Sequence, residues 1–179
     1  AGAVAPDRPY ESGYLYSNEF IRNFSWNGNE RNRLLINLGD GKFAEAAAAL
    51  GADSLGDGRG IAASDFDSDG DMDLIISNYN APANYYVNEY AQGNWLRVRL
   101  RGRQSNRDGI GAIVRTRGGQ TKQMRVVTAG DGFGSQYSRV AHFGLASSEK
   151  VDELTVEWPS GKRQCFNNVD ANQLIDVDE

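Results

Sequence analysis

The stretch Asp65-Phe66-Asp67-Ser68-Asp69-Gly70-Asp71-Met72-Asp73 sets five carboxylates at alternate positions of one short segment. Left bare, they repel one another at close range, which is costly in a compact loop. A hard divalent cation removes that cost. Ca²⁺ takes about 6–8 oxygens in flexible geometry, and a turning loop with oxygens at its first, third and fifth positions supplies them. Gly70, at the sixth position, allows the chain to turn sharply there.

The segment shares this opening with an EF-hand loop and then departs from it. The twelfth position is Ile76, where an EF-hand needs a bidentate Glu. Leu74-Ile75-Ile76 reads as a buried strand rather than an exiting helix. The expected ligands are the side chains of Asp65, Asp67, Asp69 and Asp73, with Asp71 giving its backbone carbonyl. Mg²⁺ is disfavoured because it prefers octahedral sites that keep several waters. The ion is expected to be structural, so that its binding energy becomes folding energy. A solvated acidic turn and a catalytic carboxylate pair are the competing readings. The second has no separate base or nucleophile beside it.

Outward from this loop, turn signals recur at Gly39-Asp40-Gly41, Gly56-Asp57-Gly58, Gly118-Gly119, Gly130-Asp131-Gly132 and Ser160-Gly161. Between them lie short runs with strand character: 33–37, 60–63, 73–77, 85–89, 95–101, 112–117, 122–128, 140–143, 151–158 and 174–177. Only Ala44–Leu50 reads as helical, and it is short. Regular short strands with Gly turns indicate an all-β sandwich, barrel or propeller. A faint repeat relates Arg33-Leu34-Leu35-Ile36-Asn37 to Asn84-Tyr85-Tyr86-Val87-Asn88, a spacing within the range of blade-like repeats.

At 179 residues the chain is long enough to bury a sizeable core. It has a single Cys, Cys165, and a single His, His142. An internal disulfide, His-rich zinc sites and Cys₂His₂ fingers are therefore excluded. A Ser–His–acid triad through His142 is formally allowed, but no Gly-x-Ser-x-Gly elbow accompanies it. No apolar run approaches the ~20 residues of a membrane span. The start at Ala1, without Met or a charged leader region, fits a processed mature chain or a trimmed one and gives no direct targeting signal.

The net charge of −5 is unevenly spread. Residues 1–93 carry 6 basic and 14 acidic side chains, residues 94–139 carry 10 and 2, and residues 140–179 carry 3 and 8. The basic segment opens with Arg97, Arg99 and Arg101 alternating with Val98 and Leu100. On a strand this puts three guanidinium groups on one face and the apolar side chains on the other. Three readings compete: a solvated face, an electrostatic partner for acidic surface within the chain or on a neighbour, and a binding surface for nucleic acid or sulfated glycan. Nucleic acid is disfavoured, since only Trp95 lies close and such surfaces interleave aromatics with basic residues.

Residues 1–30 differ again. Tyr10, Tyr14, Tyr16 and Phe20 precede Phe24 and Trp26, with Pro6 and Pro9 nearby. They read as an N-terminal arm laid over the domain or docked on another chain. Asn23-Phe24-Ser25 is a glycosylation sequon in a secretory setting.

Four ordered motifs carry a family resemblance. They are Ser105-Asn106-Arg107-Asp108-Gly109-Ile110-Gly111-Ala112, then Gly130-Asp131-Gly132-Phe133-Gly134-Ser135-Gln136, then Phe143-Gly144-Leu145, then Val156-Glu157-Trp158-Pro159-Ser160-Gly161. In that order they resemble the ASPIC/UnbV module of the cartilage acidic protein-like family, over about residues 94–179. Upstream, the run from Asn32 to Phe43 resembles the opening of a blade in that family. Gly58-Arg59-Gly60-Ile61-Ala62 and the segment from Asp65 to Leu74 resemble an FG-GAP (integrin-α-type, VCBS) calcium blade. The resemblance implies a calcium ligand set of Asp65, Asp67, Asp69, Asp71 and Asp73. It implies a typically secreted protein that acts in adhesion or in a role not yet known, and it implies no catalytic activity. In that family the calcium blades close a seven-bladed propeller. This sequence has one Asp-rich loop and room for about one blade, so it is too short for a full propeller.

The expected architecture is all-β: a single FG-GAP-like β-blade with a calcium-binding loop, packed on a β-sandwich-like ASPIC/UnbV domain. The expected divisions are an N-terminal arm at 1–30, the calcium-binding repeat at 31–93 and the C-terminal β domain at 94–179. A lone blade leaves sheet edges unpaired, and unpaired edges invite strand addition. The expected function is that of a secreted, calcium-stabilised structural or adhesion module that assembles with copies of itself, into filaments where the rotation does not close. A calcium-dependent glycan- or ligand-binding module is the alternative, and a hydrolase using His142 or paired carboxylates is a third. Expected partners are copies of the chain or extracellular protein or glycan, with no membrane span.

Overall fold

The structure is a computed structural model, and it describes residues 30–89, 93–119 and 121–179. The expected N-terminal arm and its sequon lie outside the described residues, Glu30 excepted. Among the described residues every regular element is a strand. There are twelve: β1 (Leu35–Gly39), β2 (Lys42–Glu45), β3 (Gly58–Ser64), β4 (Asp73–Asn78), β5 (Ala81–Tyr86), β6 (Asn94–Arg101), β7 (Ile113–Gly118), β8 (Thr121–Val126), β9 (Ala141–Ala146), β10 (Lys150–Glu157), β11 (Arg163–Asp170) and β12 (Gln173–Asp178). They form four open sheets with orders β1-β2, β3-β4-β5, β12-β6-β9 and β11-β10-β7-β8, and none closes into a barrel.

The chain divides into two compact units. One comprises the described residues through Gly60 together with Ile76–Asn84, and the other comprises Ile61–Ile75 and Tyr85–Glu179. The segment from Asp65 to Asp73 thus belongs to the unit that holds the C-terminal sheets.

That second unit has a sandwich-like core. On β6 the alternation is clean: Leu96, Val98 and Leu100 are buried while Arg99 and Arg101 are exposed. Val114 of β7, Phe143 and Leu145 of β9, Val151, Leu154 and Val156 of β10 and Val177 of β12 join the same cluster. Two sheets thus turn one face each into a shared core, as period-two patterning requires. β12 runs parallel to β6 with Asp176 opposite Arg99 and Asp178 opposite Arg101. Arg99 pairs with Asp176 through two hydrogen bonds, and Arg101 reaches the same carboxylate at 3.4 Å. Of the three readings of the arginine face, the acidic partner within the chain is the one this pairing bears out.

In the first unit, β1 and β2 form a hairpin whose turn residues Gly39, Asp40 and Gly41 all take positive φ. Every residue of β1 is exposed, including Leu35, Ile36 and Leu38.

The expected helix at Ala44–Leu50 is not formed. Ala44 and Glu45 complete β2, and the following residues make one helical turn with Leu50 N–H donating to Ala46 O at 3.0 Å. Helix nucleation is costly and one turn gains little, while Gly51 at φ +71° ends the segment at once. Two strands escaped the sequence reading, β2 and β11. β11 is an edge strand exposed along most of its length, so it shows no alternation to read.

The C-terminal residue closes this unit. Glu179 is buried, and its Oε2 accepts from the backbone N–H groups of Arg103 (2.8 Å), Gln104 (2.8 Å) and Ser105 (2.6 Å). Its Oε1 accepts from the hydroxyls of Ser105 and Ser160. Burial alone would push this carboxyl up. The hydrogen bonds from Ser160, Ser105 and Arg103 outweigh that and hold it down at about 2. A depressed acid contributes stability that is present above its unfolded value, near 4.5, and is lost as the pH falls toward its folded value. We therefore expect Glu179→Gln to lower the melting temperature at pH 7. The gap from the parent should narrow between about pH 4.5 and 2. A gap that stays constant over an acid series of thermal melts contradicts this role.

Candidate metal centre

All residues of the site lie in the unit comprising Ile61–Ile75 and Tyr85–Glu179. The acidic segment connects β3 to β4 and folds on its own carboxylates. Asp67 Oδ1 accepts from Asp69 N–H, Asp69 Oδ1 from Asp71 N–H, and Asp65 Oδ2 from Gly70 N–H. Such side-chain-to-backbone bonds are what make Asp a turn residue. Ser68 and Gly70 take positive φ, at 68° and 101°.

One carboxylate oxygen each from Asp65, Asp67 and Asp69 lies within 4.8 Å of the others. Asp73 sits apart in role. Its Oδ2 accepts from Phe66 N–H (3.0 Å) and Tyr85 O–H (3.3 Å), and its Oδ1 from Asn88 N–H (2.9 Å). It therefore ties the two ends of the loop together. Asp71 is buried, and its Oδ1 has no hydrogen-bond partner; the same holds for Asp65 Oδ1. A buried carboxylate oxygen without a donor carries an unrelieved desolvation cost. Burial pushes Asp71 up to about 6, and the charges of Asp69, Asp73 and Asp67 add to the effect. Asp67 is raised as well, by desolvation first and by the neighbouring carboxylates, against the backbone hydrogen bond from Asp69. The donor set is all hard oxygen, which suits Ca²⁺ and not a thiolate- or imidazole-seeking metal. The residues present thus fit a divalent cation: clustered carboxylates, two orphaned oxygens and excess negative charge.

The loop is fastened to the outer face of the β12-β6-β9 sheet by three side chains. Arg97 of β6 pairs with Asp65 Oδ2 at 2.6 Å; Asp65's side chain is 1% exposed and that of Arg97 15%. His142 Nε2, on the β9 residue paired with Arg97, is 2.8 Å from Gly70 O. The ring of Trp95 lies against Gly70, where an added Cβ would come 1.8 Å from Trp95 Nε1. Arg97 also lies 5.9 Å from the Trp95 ring centroid. The sequence offers His142 as a catalytic candidate and does not join it to the loop. The signal that joins them is the strand pairing of Arg97 with His142, which no local pattern displays.

Comparisons with known proteins show the family. Residues 102–179 match the family described as ASPIC and UnbV, and residues 23–76 match the FG-GAP-like repeat. The chain is thus an FG-GAP-like repeat followed by an ASPIC/UnbV domain. It is similar to cartilage acidic protein 1 from Homo sapiens, 30% identical over 166 residues, which is 88% of this chain and 25% of the relative. The same protein from Xenopus tropicalis is 31% identical over 169 residues, 88% of this chain and 26% of the relative. That from Mus musculus is 30% identical over 151 residues, 80% of this chain and 23% of the relative. The chain spans about a quarter of the length of these relatives.

Removing one member of a nearly buried ion pair strands the other charge, at about 3 kcal/mol or more. Arg97→Met should therefore cost about that much in urea unfolding without added metal, and Asp65→Asn in the same chain should return part of it. Additive losses in this double-mutant cycle would mean that the pair does not carry the contact.

Proposed function

We propose that this chain is a calcium-stabilised structural or adhesion module of the extracellular space, acting through protein contacts rather than catalysis. The observation that carries the reading is the carboxylate cluster of Asp65, Asp67 and Asp69 with an orphaned, buried Asp65 Oδ1. The ligand set we assign is Asp65, Asp67 and Asp69 by side chain, Asp71 by its backbone carbonyl, and Asp73 by remaining lone pairs on the oxygens that secure the loop. When bound, Ca²⁺ would neutralise the cluster and stiffen the connection between β3 and β4. The similarity to an FG-GAP-like repeat supports calcium. The similarity to cartilage acidic protein 1 supports an extracellular setting. No helix among the described residues is long and apolar enough to cross a membrane.

Contact with other chains is supported by the β1-β2 hairpin. In a two-stranded sheet both strands are edges, and Leu35, Ile36, Leu38 and Phe43 on this one are exposed. Apolar side chains on unpaired strands favour strand addition, by a copy of this chain or by another extracellular protein. For catalysis little is left over, since the His142 ring nitrogen is engaged at the Gly70 carbonyl.

A cation present at about a hundred times its dissociation constant stabilises by about 2.7 kcal/mol, or about 5–10 °C for a chain of this size. EDTA is expected to lower the melting temperature by that order, Ca²⁺ to restore it, and Asp67→Asn with Asp69→Asn to abolish the response. Indifference to both reagents sinks the calcium reading. Light scattering of the chain at rising concentration tests assembly: a strictly monomeric particle, with and without Ca²⁺, removes self-association from the proposal.

A further inference from the structure

Most of the positive segment is neutralised within the chain. Arg97 faces Asp65, Arg99 and Arg101 share Asp176, Arg115 faces Glu157 and Arg117 faces Glu153. One region escapes. A cavity of about 290 Å³ is lined by four arginines, Arg99, Arg101, Arg107 and Arg139, with Asp108 beside them. A second cavity of about 290 Å³ holds Arg125, Asp131 and Tyr137, and it shares Arg139 and Val140 with the first. The common wall makes them one groove, bearing five guanidinium groups.

Its charges do not cancel. Arg139 is paired with Asp108, and Asp176 serves both Arg99 and Arg101, leaving one positive charge in excess there. Arg107 and Arg125 have no carboxylate in ion-pair range among the described residues. Arg125 is instead held over the ring of Phe143, with its guanidinium carbon 5.2 Å from the centroid. Planar guanidinium donors with spare charge recognise anionic oxygens in bidentate fashion.

The carboxylates set into the groove narrow the choice of ligand. Asp108 and Asp131 repel any polyanion and are satisfied only by donors. They would accept hydrogen bonds from hydroxyl groups, which a DNA backbone does not offer between its phosphates and a polysaccharide does. A polymer that alternates anionic groups with hydroxyls satisfies both kinds of side chain. Tyr137 lines the groove, and Phe133, two residues beyond Asp131, is 84% exposed. Both can present a ring to the apolar face of a sugar.

We propose that the groove running from Arg107 past Arg139 to Arg125 binds a sulfated polysaccharide. The groove borders the acidic segment, since Met72 and His142 also line its second cavity, but none of its guanidinium groups is a cation ligand and the proposal does not rest on the calcium reading. The test is surface plasmon resonance of the full chain over immobilised heparin at about 0.15 M ionic strength, repeated across a salt series. Arg107→Ala with Arg125→Ala should weaken binding about tenfold or more and flatten its salt dependence, since two charge-assisted contacts are lost. The double change Arg115→Ala with Lys122→Ala removes as much charge outside the groove and should leave binding unchanged. Thermal melts establish that each variant is folded; where Arg125→Ala lowers the melting temperature, Arg107→Glu alone is expected to weaken binding. Equal loss in the two double variants overturns the proposal. So does equal binding of desulfated heparin, or equal binding of single-stranded DNA of matched length.

Discussion

The ion pair between Arg97 and Asp65 is the constraint on which the second unit is organised. Asp65 is almost wholly buried, and a lone carboxylate there would be prohibitively desolvated. Arg97 relieves one of its oxygens, with Gly70 N–H as a second donor, and leaves the other oxygen bare. Everything else about the contact follows from bringing a turning acidic loop flat against a sheet. The closest approach falls at Gly70, where the Trp95 ring occupies the space a side chain would need. The Gly70 carbonyl, facing the sheet, is met by the only imidazole of the chain. Glycine at this position thus answers two demands at once: the positive φ of the loop and the absence of a Cβ at the interface.

β6 is where the loop and the core make opposite claims on one strand. Its even-numbered residues Leu96, Val98 and Leu100 are buried in the sandwich. Its odd-numbered residues Trp95, Arg97, Arg99 and Arg101 serve the outer face, the first two for the loop and the last two for the parallel strand β12. A one-residue slip would bury guanidinium groups and expose the core together, so register is strongly fixed here. The exposed pairs along this face contribute little stability individually, since solvent screens them. Their effect is on specificity: β12 carries aspartates where a parallel neighbour of β6 must present them, which favours this pairing over others.

The legible parts of this fold are those encoded by local spacing. The alternating carboxylates with Gly70 can be read from nine residues, and the two faces of β6 from seven. The all-β class follows from the recurrence of short runs between glycine turns. What could not be read depends on neighbours distant in the chain. Ala44–Leu50 has helical composition, yet a hairpin claims its first two residues and Gly51 closes it. β11 is fixed by pairing with β10 and by little else, so its sequence carries no period. Nothing in the residues around Glu179 marks it out. Its site is assembled from three consecutive backbone N–H groups more than seventy residues away, with a hydroxyl from each of two motifs, Ser105 and Ser160. Likewise, each of the five aspartates is visible in the sequence, which sets Asp71 apart by its backbone carbonyl, but the separate place of Asp73 is not. Asp65, Asp67 and Asp69 converge, while Asp73 is held by Phe66, Tyr85 and Asn88.

Sequence families and physical units divide this chain at different places, and the acidic loop explains why. The FG-GAP-like match ends at residue 76 and the ASPIC and UnbV match begins at residue 102. Yet Ile61–Ile75 forms one compact unit with the C-terminal sheets. The loop belongs to the repeat by its sequence pattern and to the sandwich by contact, through Arg97, His142 and Trp95. Charge accounts for the persistence of that contact. The chain's net −5 equals the number of carboxylates in the segment from Asp65 to Asp73. Without them the chain is balanced, so the excess is local. The one guanidinium supplied by β6 offsets a single member of the cluster, and the raised Asp67 and Asp71 register what is left over. A loop so charged cannot be packed against a sheet on apolar contact alone. It requires a cation from the sheet on one side, and its remaining bare oxygens, Asp65 Oδ1 and Asp71 Oδ1, mark where the compensation from the sheet stops.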